Sequence, residues 1–312
     1  MSNFTGKHLK IFFLALLISG CATQRVRVVD DNDASPTLES LMAMSNKKKL
    51  AKSKQESMNK IRETAIKDTA LSVGAQTGLA VRAKEIDNEL VTQQRYLDKI
   101  YDFNALILEQ NVMPPVLLEG RNTFNLDDLQ TIRVSNRMYR VYKQAHFITT
   151  APNWREYLWM DYESPEPPHP SLLPTNKAEA AVWKTYVARG WQQGVEQANT
   201  ILEESIARIK QDFNGMILYR KLLAMNMVSP PFISHTDLGV TGDAEEMHID
   251  DRVLRITALP ALNINPNEWH AALDKDEEAI SKFTKLEAKI NQAKITISSN
   301  TWQPVIGTVD ER

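Results

Sequence analysis

The only cysteine of this 312-residue chain is Cys21, which lies between an apolar run and a polar one. A lone cysteine has no partner for an internal disulfide and lacks the companion ligands of a structural zinc site. Lys7 and Lys10 precede the apolar run Ile11–Ile18, and small residues separate that run from the cysteine. This order of features is typical of a secretory signal. The run is far shorter than the roughly 20 residues of a transmembrane helix, so we expect it to be cleaved.

The tetrapeptide Ile18–Cys21 resembles the bacterial lipobox, the processing signal of lipoproteins. In signals of this kind the thiol is acylated, cleavage leaves the cysteine as the first residue, and its amine receives a further acyl chain. Cys21 is therefore the predicted lipid-attachment site. One acyl chain anchors a protein only marginally, whereas two or more anchor it stably. The next two residues lack the aspartate that usually causes inner-membrane retention, so the expected location is the periplasmic face of the outer membrane. The alternative is an ordinary secretory signal with an incidental cysteine.

Two histidines, His235 and His248, and several carboxylates lie in the segment Ser234–Asp251, which is the nearest approach to a metal site. Calcium loops need a tighter alternation of oxygen ligands, so a polar loop leading into a strand is the favoured interpretation. The chain has no His-x-x-x-His pair, nucleophile elbow, Walker-type loop or dinucleotide fingerprint. We therefore predict no catalytic residues, no metal, no cofactor and no enzyme activity.

The composition is that of a globular protein, with 43% hydrophobic and 24% charged residues. The chain is long enough to bury one sizeable core or two small ones. Its formal net charge is −2, and removal of Lys7 and Lys10 with the signal changes it to −4. Such mild acidity gives no general reason to expect direct nucleic-acid binding.

Two parts of the chain repeat each other at a constant offset of 116 residues. The pattern Gly-x-Gln-x-Gly at Gly74–Gly78 returns at Gly190–Gly194 (190 − 74), and the pair Pro114-Pro115 returns at Pro230-Pro231 (230 − 114). Apolar residues at helical spacing keep the same offset, apart from a polar gap at Gln93-Gln94. The matched apolar positions are Leu79, Ile86, Leu90, Leu97 and Leu106, and Val195, Leu202, Ile206, Phe213 and Leu222. Each half is thus predicted to begin with a long amphipathic helix that opens at its glycines.

The glycines of these helices are predicted to be packing points. A glycine costs about 1 kcal/mol in a helix interior relative to alanine, and close contact with another helix is the expected compensation. A membrane dimerisation motif would require an apolar segment of about 20 residues around them. Charged residues such as Arg82 and Lys84 lie nearby instead.

Each helix is followed by an alternating segment, Ile132–Val141 or Met247–Ile256. Polar pairs at Ser135-Asn136 and Asp250-Asp251 predict that each segment is itself a hairpin with its turn at that pair. Pro-Asn pairs before two tryptophans, Trp154 and Trp269, then predict short helices with the tryptophans as core anchors.

The predicted fold class is α+β, with two similar units that each contain a long amphipathic helix, a β-hairpin and a short helix. The proline-rich segment "ESPEPPHPSLLP" cannot continue a helix or a central strand, so it is expected to divide the units. The predicted segments are a lipoprotein signal peptide (1–20), a lipidated flexible tether (21–60), the first unit (61–162), the proline-rich linker (163–177), the second unit (178–275), and a C-terminal helix and tail (276–312).

Five long motifs of this sequence resemble the DotC family, outer-membrane lipoproteins of type IVB (Dot/Icm) secretion systems with relatives in plasmid conjugation machines. The resemblance extends from about residue 64 to residue 269, and neither the tether nor the tail contributes to it. The motifs are "PPVLLEGRNTFNL" (Pro114–Leu126), "TTAPNWREYLWMDY" (Thr149–Tyr162), "GWQQGVEQA" (Gly190–Ala198), "GMILYRKLLAMNMVS" (Gly215–Ser229) and "DDRVLRITALPAL" (Asp250–Leu262).

The resemblance implies a structural and assembly role in an outer-membrane core complex. DotC-like proteins cooperate with DotD to bring DotH to the outer membrane, and the assembly forms a multi-copy ring. The expected partners are therefore DotD-like and DotH-like components and the membrane itself, with no direct contact to nucleic acid. The family has no catalytic residues, so only the lipid-attachment cysteine is carried over, onto Cys21. The alternative is a lipid-anchored periplasmic binding protein or wall-acting enzyme that uses Ser234–Asp251. The sequence leaves open whether the system exports effectors or DNA.

Overall fold

The computed structural model describes residues 36–45, 60–269, 274–295 and 297. Its helices are α1 (Leu38–Met42), α2 (Lys60–Thr92), α3 (Gln94–Ile100), α4 (Trp154–Leu158), α5 (Lys177–Ala224) and α6 (Asp274–Gln292). Its strands are β1 (Val112–Met113), β2 (Val116–Leu126), β3 (Ile132–Lys143), β4 (His146–Phe147), β5 (Phe232–Gly242) and β6 (Met247–Ala258). The strands pair antiparallel as β1 with β4, β2 with β3, and β5 with β6. The predicted α+β class is confirmed.

Two long helices, α2 and α5, form the centre of the molecule. At 1.5 Å per residue, their 33 and 48 residues extend about 50 and 72 Å. The predicted helix starts at the glycines are wrong, because α5 begins at Lys177 and the described part of α2 already begins at Lys60. Asn176 caps α5 by accepting a hydrogen bond from the backbone N–H of Glu179 at 2.8 Å. The glycines therefore lie inside the helices, where tertiary contact outweighs their low helix propensity.

The contact between α2 and α5 is a seam of glycines set against backbone. A Cβ atom built at any of the four glycines would lie 2.1–2.5 Å from a carbonyl oxygen of the opposite helix, closer than such atoms can approach. The prediction that the glycines are packing points is confirmed. The contacting pairs are Gly74 with Val187, Gly78 with Trp191, Gly190 with Leu71 and Gly194 with Ala75.

The seam is reciprocal, as a two-fold rotation between the halves would make it. Gly74 meets Val187, and Gly190 meets Leu71; each residue of the second pair is related to the first pair by the offset of 116. The hairpins follow the same relation, since β2 and β5 differ by 116 residues at both ends, and β3 and β6 by 115. The repeat read from the sequence thus corresponds to two matching helix–hairpin units.

The helical segment of the first half is broken at Gln93, within the polar gap. Gln93 corresponds in the repeat to Ile209, which is fully buried in the uninterrupted helix α5. A glutamine in that environment would bury an amide without partners, so the chain turns at Gln93 and restarts as α3. The apolar stripe resumes after the break, with Leu97 fully buried.

The predicted hairpin turns are wrong. Ser135 lies within β3 and pairs with Thr123 of β2, and the true turn is at residues 127–131, where Asp128 accepts a hydrogen bond from the N–H of Gln130. Asp250 lies within β6 as an irregularity with φ of 58°. Each predicted hairpin is one long strand, because its partner is the alternating segment that precedes it in the chain.

The short helix α4 carries a core tryptophan, as predicted. Asn153 caps the helix, and its own N–H is bound by the Glu156 carboxylate, which completes a capping box. Trp154 is 1% exposed, and its Nε1–H donates to Asp98 at 2.6 Å. The second unit has a 3-10 turn at Pro266–Glu268 before Trp269, and residues 270–273, where the helix was predicted to continue, lie outside the described part.

Trp269 does not have the core position predicted for it. Its side chain is 40% exposed, and its Nε1–H donates to the carbonyl oxygen of Asn263 at 2.9 Å. Trp154 of the first unit lies in the main core, whereas Trp269 makes its hydrogen bond within an exposed loop.

Two helices outside the repeated units pack on the central pair. Helix α1, from the segment predicted as a tether, buries Leu38 and Leu41, and the carbonyl oxygen of Leu41 accepts a hydrogen bond from Trp183 Nε1–H at 2.9 Å. Helix α6, within the predicted C-terminal helix, buries Phe283 and Ile290 in the main core. Within the described ranges, no helix combines the length and apolarity needed to cross a bilayer.

An ion pair between half-buried Arg62 and buried Glu179 connects the proline-rich segment to both long helices. Arg62 binds Glu179 with two hydrogen bonds of 2.7 and 3.1 Å, and it also donates to the carbonyl oxygens of Ser171 and Leu173. Thr175 donates to the same carboxylate through its N–H and its hydroxyl. Burial alone would raise the pKa of Glu179, but the hydrogen bonds from Arg62 and Thr175 hold that pKa below its ordinary value.

Candidate assembly surface

Two long β-hairpins extend from the helical body, and they contain most of its exposed large apolar side chains. We name β2–β3 hairpin 1 (residues 116–143) and β5–β6 hairpin 2 (residues 232–258). Eleven-residue strands at about 3.3 Å per residue reach about 36 Å. In both hairpins the strands are exposed or half-exposed along most of their length.

Hairpin 1 is held at its base by helix α5. Val116 and Leu117 are 1% exposed, and a Cβ at Gly215 would lie 2.4 Å from the Val116 side chain and 2.8 Å from the Leu117 carbonyl oxygen. Gly215 therefore gives the strand room to lie directly on the helix. The role of Gly215 could not be predicted from the repeat, because the corresponding position in the first half is Lys99.

A polar cluster around Asp212 fixes the other strand, β3, at the same base of hairpin 1. Lys143 Nζ and the Tyr157 hydroxyl both donate to Asp212 Oδ2, at 2.6 and 3.0 Å. Asp212 is 1% exposed, and its Oδ1 has no hydrogen-bond partner among the described residues. Burial, reinforced by the Asp212 carboxylate, raises the pKa of Tyr157. The cluster borders an open cleft of about 310 Å³ and joins β3, α4 and α5.

Beyond its base, hairpin 1 has one apolar face and one polar face. Opposite residues on paired strands share a face, and the apolar pairs are Phe124 with Val134 and Leu126 with Ile132. All four are more than half exposed. The other face carries the pairs Arg121 with Arg137 and Asn125 with Arg133. The alternation was visible in the sequence of β2, but nothing there showed that this face is uncovered.

Hairpin 2 also exposes apolar side chains, although its strands are less regular. Its register shifts near Gly239, which has a φ of +75° with nothing within 4 Å of a built Cβ, and near Asp250. The first residue of the hairpin, Phe232, is 59% exposed, so its base is less enclosed than that of hairpin 1. The exposed apolar residues further along are Leu238, Val240, Met247, Ile249 and Val253.

The two hairpins have opposite net charge. Hairpin 1 contains five basic and three acidic residues, a formal charge of +2. Hairpin 2 contains two arginines and six acidic residues, a formal charge of −4. Ion pairs of hairpin 1, such as Arg133 with Asp127 at 3.3 Å, are largely solvent-exposed and therefore weak.

These features are characteristic of a surface that is covered in an assembly. A two-stranded hairpin is marginally stable alone in water, and a long edge strand with unpaired backbone groups readily pairs with another chain. Contiguous exposed apolar residues with a polar surround mark contact surfaces in soluble proteins. The arrangement can bind a partner through main-chain pairing, apolar contact and charge together.

The histidine segment forms no metal site among the described residues. His235 pairs with Leu254 and His248 pairs with Thr241, so the two histidines occupy different rungs of hairpin 2. The only ionic contact of His248 that the described residues provide is Glu246, at 3.5 Å. No group of three or more His, Cys, Asp or Glu that could hold a metal occurs in the described part of the chain. Cys21, the predicted lipid-attachment site, lies outside that part.

Comparison with known proteins identifies the family. Residues 60–271, about two thirds of the chain, match the protein family described as type IV secretory system, conjugal DNA-protein transfer. The match covers both long helices and both hairpins. A search of curated proteins finds no match. The chain therefore belongs to this family of type IV secretion and conjugation proteins.

Proposed function

We propose that this protein is a structural assembly lipoprotein of the outer-membrane core complex of a type IVB secretion or conjugation system. The observation that carries the proposal is the family match over residues 60–271. The lipobox at Cys21 supports a lipid anchor at the periplasmic face of the outer membrane, and the DotC-like motifs support the type IVB class. In this role the protein has no catalytic activity.

The structure supports such a role by the surface it offers. Both hairpins expose apolar and charged residues. Both begin near the C-terminal end of α5, since Leu117 at the base of hairpin 1 and Val228, four residues before hairpin 2, share a small core with Tyr219 and Leu222. In this assembly the body of the protein holds a DotH-like component, which is placed at the outer membrane with help from a DotD-like protein. The alternative, a binding protein or wall-acting enzyme that uses Ser234–Asp251, has no assembled group to support it in the described part of the chain.

The test is to move the anchor and follow the partner. We expect Ala22→Asp to retain the folded protein at the inner membrane and to carry a DotH-like component away from the outer membrane, because a complex follows its anchored member. Secretion or conjugation is then lost. Cys21→Ser is expected to prevent acylation and to lower the outer-membrane fraction of the protein itself.

The measurement is membrane fractionation of the DotH-like protein in cells with the wild-type chain, Ala22→Asp, or no chain. Ala22→Ser is the matched control, because it keeps a small uncharged residue after the cysteine. Equal delivery of the DotH-like protein to the outer membrane in all strains would remove recruitment from the proposed role. Palmitate incorporation by Cys21→Ser would overturn the assignment of the anchor.

A further inference from the structure

We propose that copies of this chain bind one another head to tail, with hairpin 1 of one copy against hairpin 2 of the next. This inference deepens the assembly role proposed above and rests on it. It assigns the contact between copies to hairpins 1 and 2, so the DotH-like partner is held by other surfaces of the body.

Charge selects this pairing over contacts between like hairpins. Two copies of hairpin 2 would bring together two surfaces of −4, and two copies of hairpin 1 two surfaces of +2. Like charges opposed across strands are destabilising, and juxtaposed charges of one sign are a common means by which interfaces reject wrong partners. The mixed pair places Arg133 and Arg137 of one copy against the acidic end of hairpin 2, which includes Glu245 and Glu246.

The exposed apolar residues also favour contact between hairpin 1 and hairpin 2. Phe124 and Ile132 of hairpin 1, and Ile249 and Val240 of hairpin 2, lie toward the hairpin ends and are each more than half exposed. The strands are of equal length, with 11 and 12 residues in both hairpins. An edge of one hairpin can therefore pair with an edge of the other, which places the two apolar faces side by side on one continuous sheet and the charged residues side by side on the other face.

In the described part of the chain, the outer edges of both hairpins are left without a partner strand. Among the described strands, those of hairpin 1 pair only with each other, and so do those of hairpin 2. When two copies are joined through hairpin 1 of one and hairpin 2 of the other, the dimer still has one free hairpin 1 and one free hairpin 2. Repetition of that contact gives a ring if the rotation closes and a filament if it does not.

A lipid surface is a poorer occupant for the hairpin ends. The turn of hairpin 1 carries Asp127 and Asp128, and that of hairpin 2 carries Asp243, Glu245 and Glu246. Burying unpaired carboxylates in an apolar medium is strongly unfavourable. An oppositely charged protein surface avoids that cost.

Cysteine cross-linking in the full chain tests the pairing. Phe124→Cys and Ile249→Cys are placed in two differently tagged copies, expressed together and treated with a short bis-maleimide in intact cells. We expect a product that contains both tags, and a ladder of trimers and larger species when one chain carries both cysteines. Ile61→Cys, at an 80% exposed position on α2, replaces either partner as the matched control and is expected to give no product.

Charge exchange tests the cause of the pairing. Arg133→Glu with Arg137→Glu changes hairpin 1 from +2 to −2 and is expected to reduce the cross-linked ladder at least five-fold. Glu245→Arg, Glu246→Arg and Asp250→Asn change hairpin 2 from −4 to +1, and combining all five substitutions in one chain is expected to restore the ladder. Glu203→Lys with Glu204→Lys, exposed on α5, is the control. Melting of each detergent-solubilised full-length variant shows whether it is folded.

The outcomes separate this inference from the proposed function. Products between two Phe124→Cys copies as strong as the mixed product would overturn the head-to-tail arrangement. Absence of a ladder in a chain that reaches the outer membrane with its DotH-like partner would overturn the inference and leave the proposed function intact. A ladder from a chain that is absent from the outer membrane would support the inference and overturn the proposed location.

Discussion

At the scale of single residues, the molecule depends on five glycines at which any added side chain would clash. Four form the seam between α2 and α5, and Gly215 admits the base of hairpin 1 onto α5. At each of them the atoms within 3 Å of an added Cβ include backbone of another segment. Backbone cannot change rotamer to make room, so even a methyl group must move a whole element.

Gly194→Ala is expected to destabilise the protein although alanine is the better helix former. The added Cβ would lie 2.1 Å from the Ala75 carbonyl oxygen, and overpacking of this kind costs about 1–3 kcal/mol. The higher helix propensity of alanine offsets about 1 kcal/mol of this cost, which leaves a net loss of up to about 2 kcal/mol. Thermal melting of the purified protein measures it. Gln193→Ala, at the exposed neighbouring position, is expected to be nearly neutral; equal melting of both variants would place Gly194 outside a tight contact.

Glu179→Gln is expected to destabilise the protein near neutral pH and to reduce its sensitivity to acid. The folded protein lowers the pKa of Glu179 below 4.5, so the ionised carboxylate stabilises the fold above that value. This contribution is lost as the pH falls through the lowered pKa. Melting of wild type and variant is compared from neutral pH down to the acid range, and their difference is expected to shrink with acid. A constant difference would assign the effect to packing instead of charge.

At the scale of elements, the sequence predicted the features that recur at a regular spacing. The apolar stripe predicted two long amphipathic helices, the repeated glycines predicted close helix contacts, and the polar gap at Gln93-Gln94 coincides with the break between α2 and α3. The strand partners were missed because Ser135-Asn136 and Asp250-Asp251 have the chemistry of turns, and only the pairing with β2 and β5 overrides it. Exposure of the hairpins could not be predicted, since alternation gives the apolar face but does not show what covers it.

Shortening hairpin 1 is expected to leave the body folded. Leu118 pairs with Arg140, so residues 119–139 can be replaced by Asn-Gly, which closes a two-residue turn. The buried base, Val116 and Leu117, is retained. We expect the melting temperature of the variant to stay within a few degrees of wild type while its co-purification with a differently tagged copy is lost. A large fall in melting temperature would show that the hairpin supports the body of its own chain.

At the scale of the whole molecule, the two halves share one interior. Three features join α2 to α5. They are the glycine seam, the ion pair of Arg62 with Glu179, and the hydrogen bond from Arg82 to Asn199 at 3.0 Å. The repeat predicted two similar units, and it could not predict that their helices pack on each other, because periodicity within each half is the same whether the stripe faces its own hairpin or the other helix. The family match extends over both halves, in agreement with a body that works as one piece.

The seam also determines the order in which the parts of the protein can fold. Each glycine contact joins residues more than 110 positions apart, and a chain is synthesised from its N-terminus. When α2 is complete, the carbonyls and glycines that will receive it have not yet been made. Contacts of such long range form late, since closing the loop costs entropy before any contact repays it. The face of α2 that forms the seam therefore stays uncovered until α5 has been made. We infer that the native contacts of the seam form only with the second half of the chain.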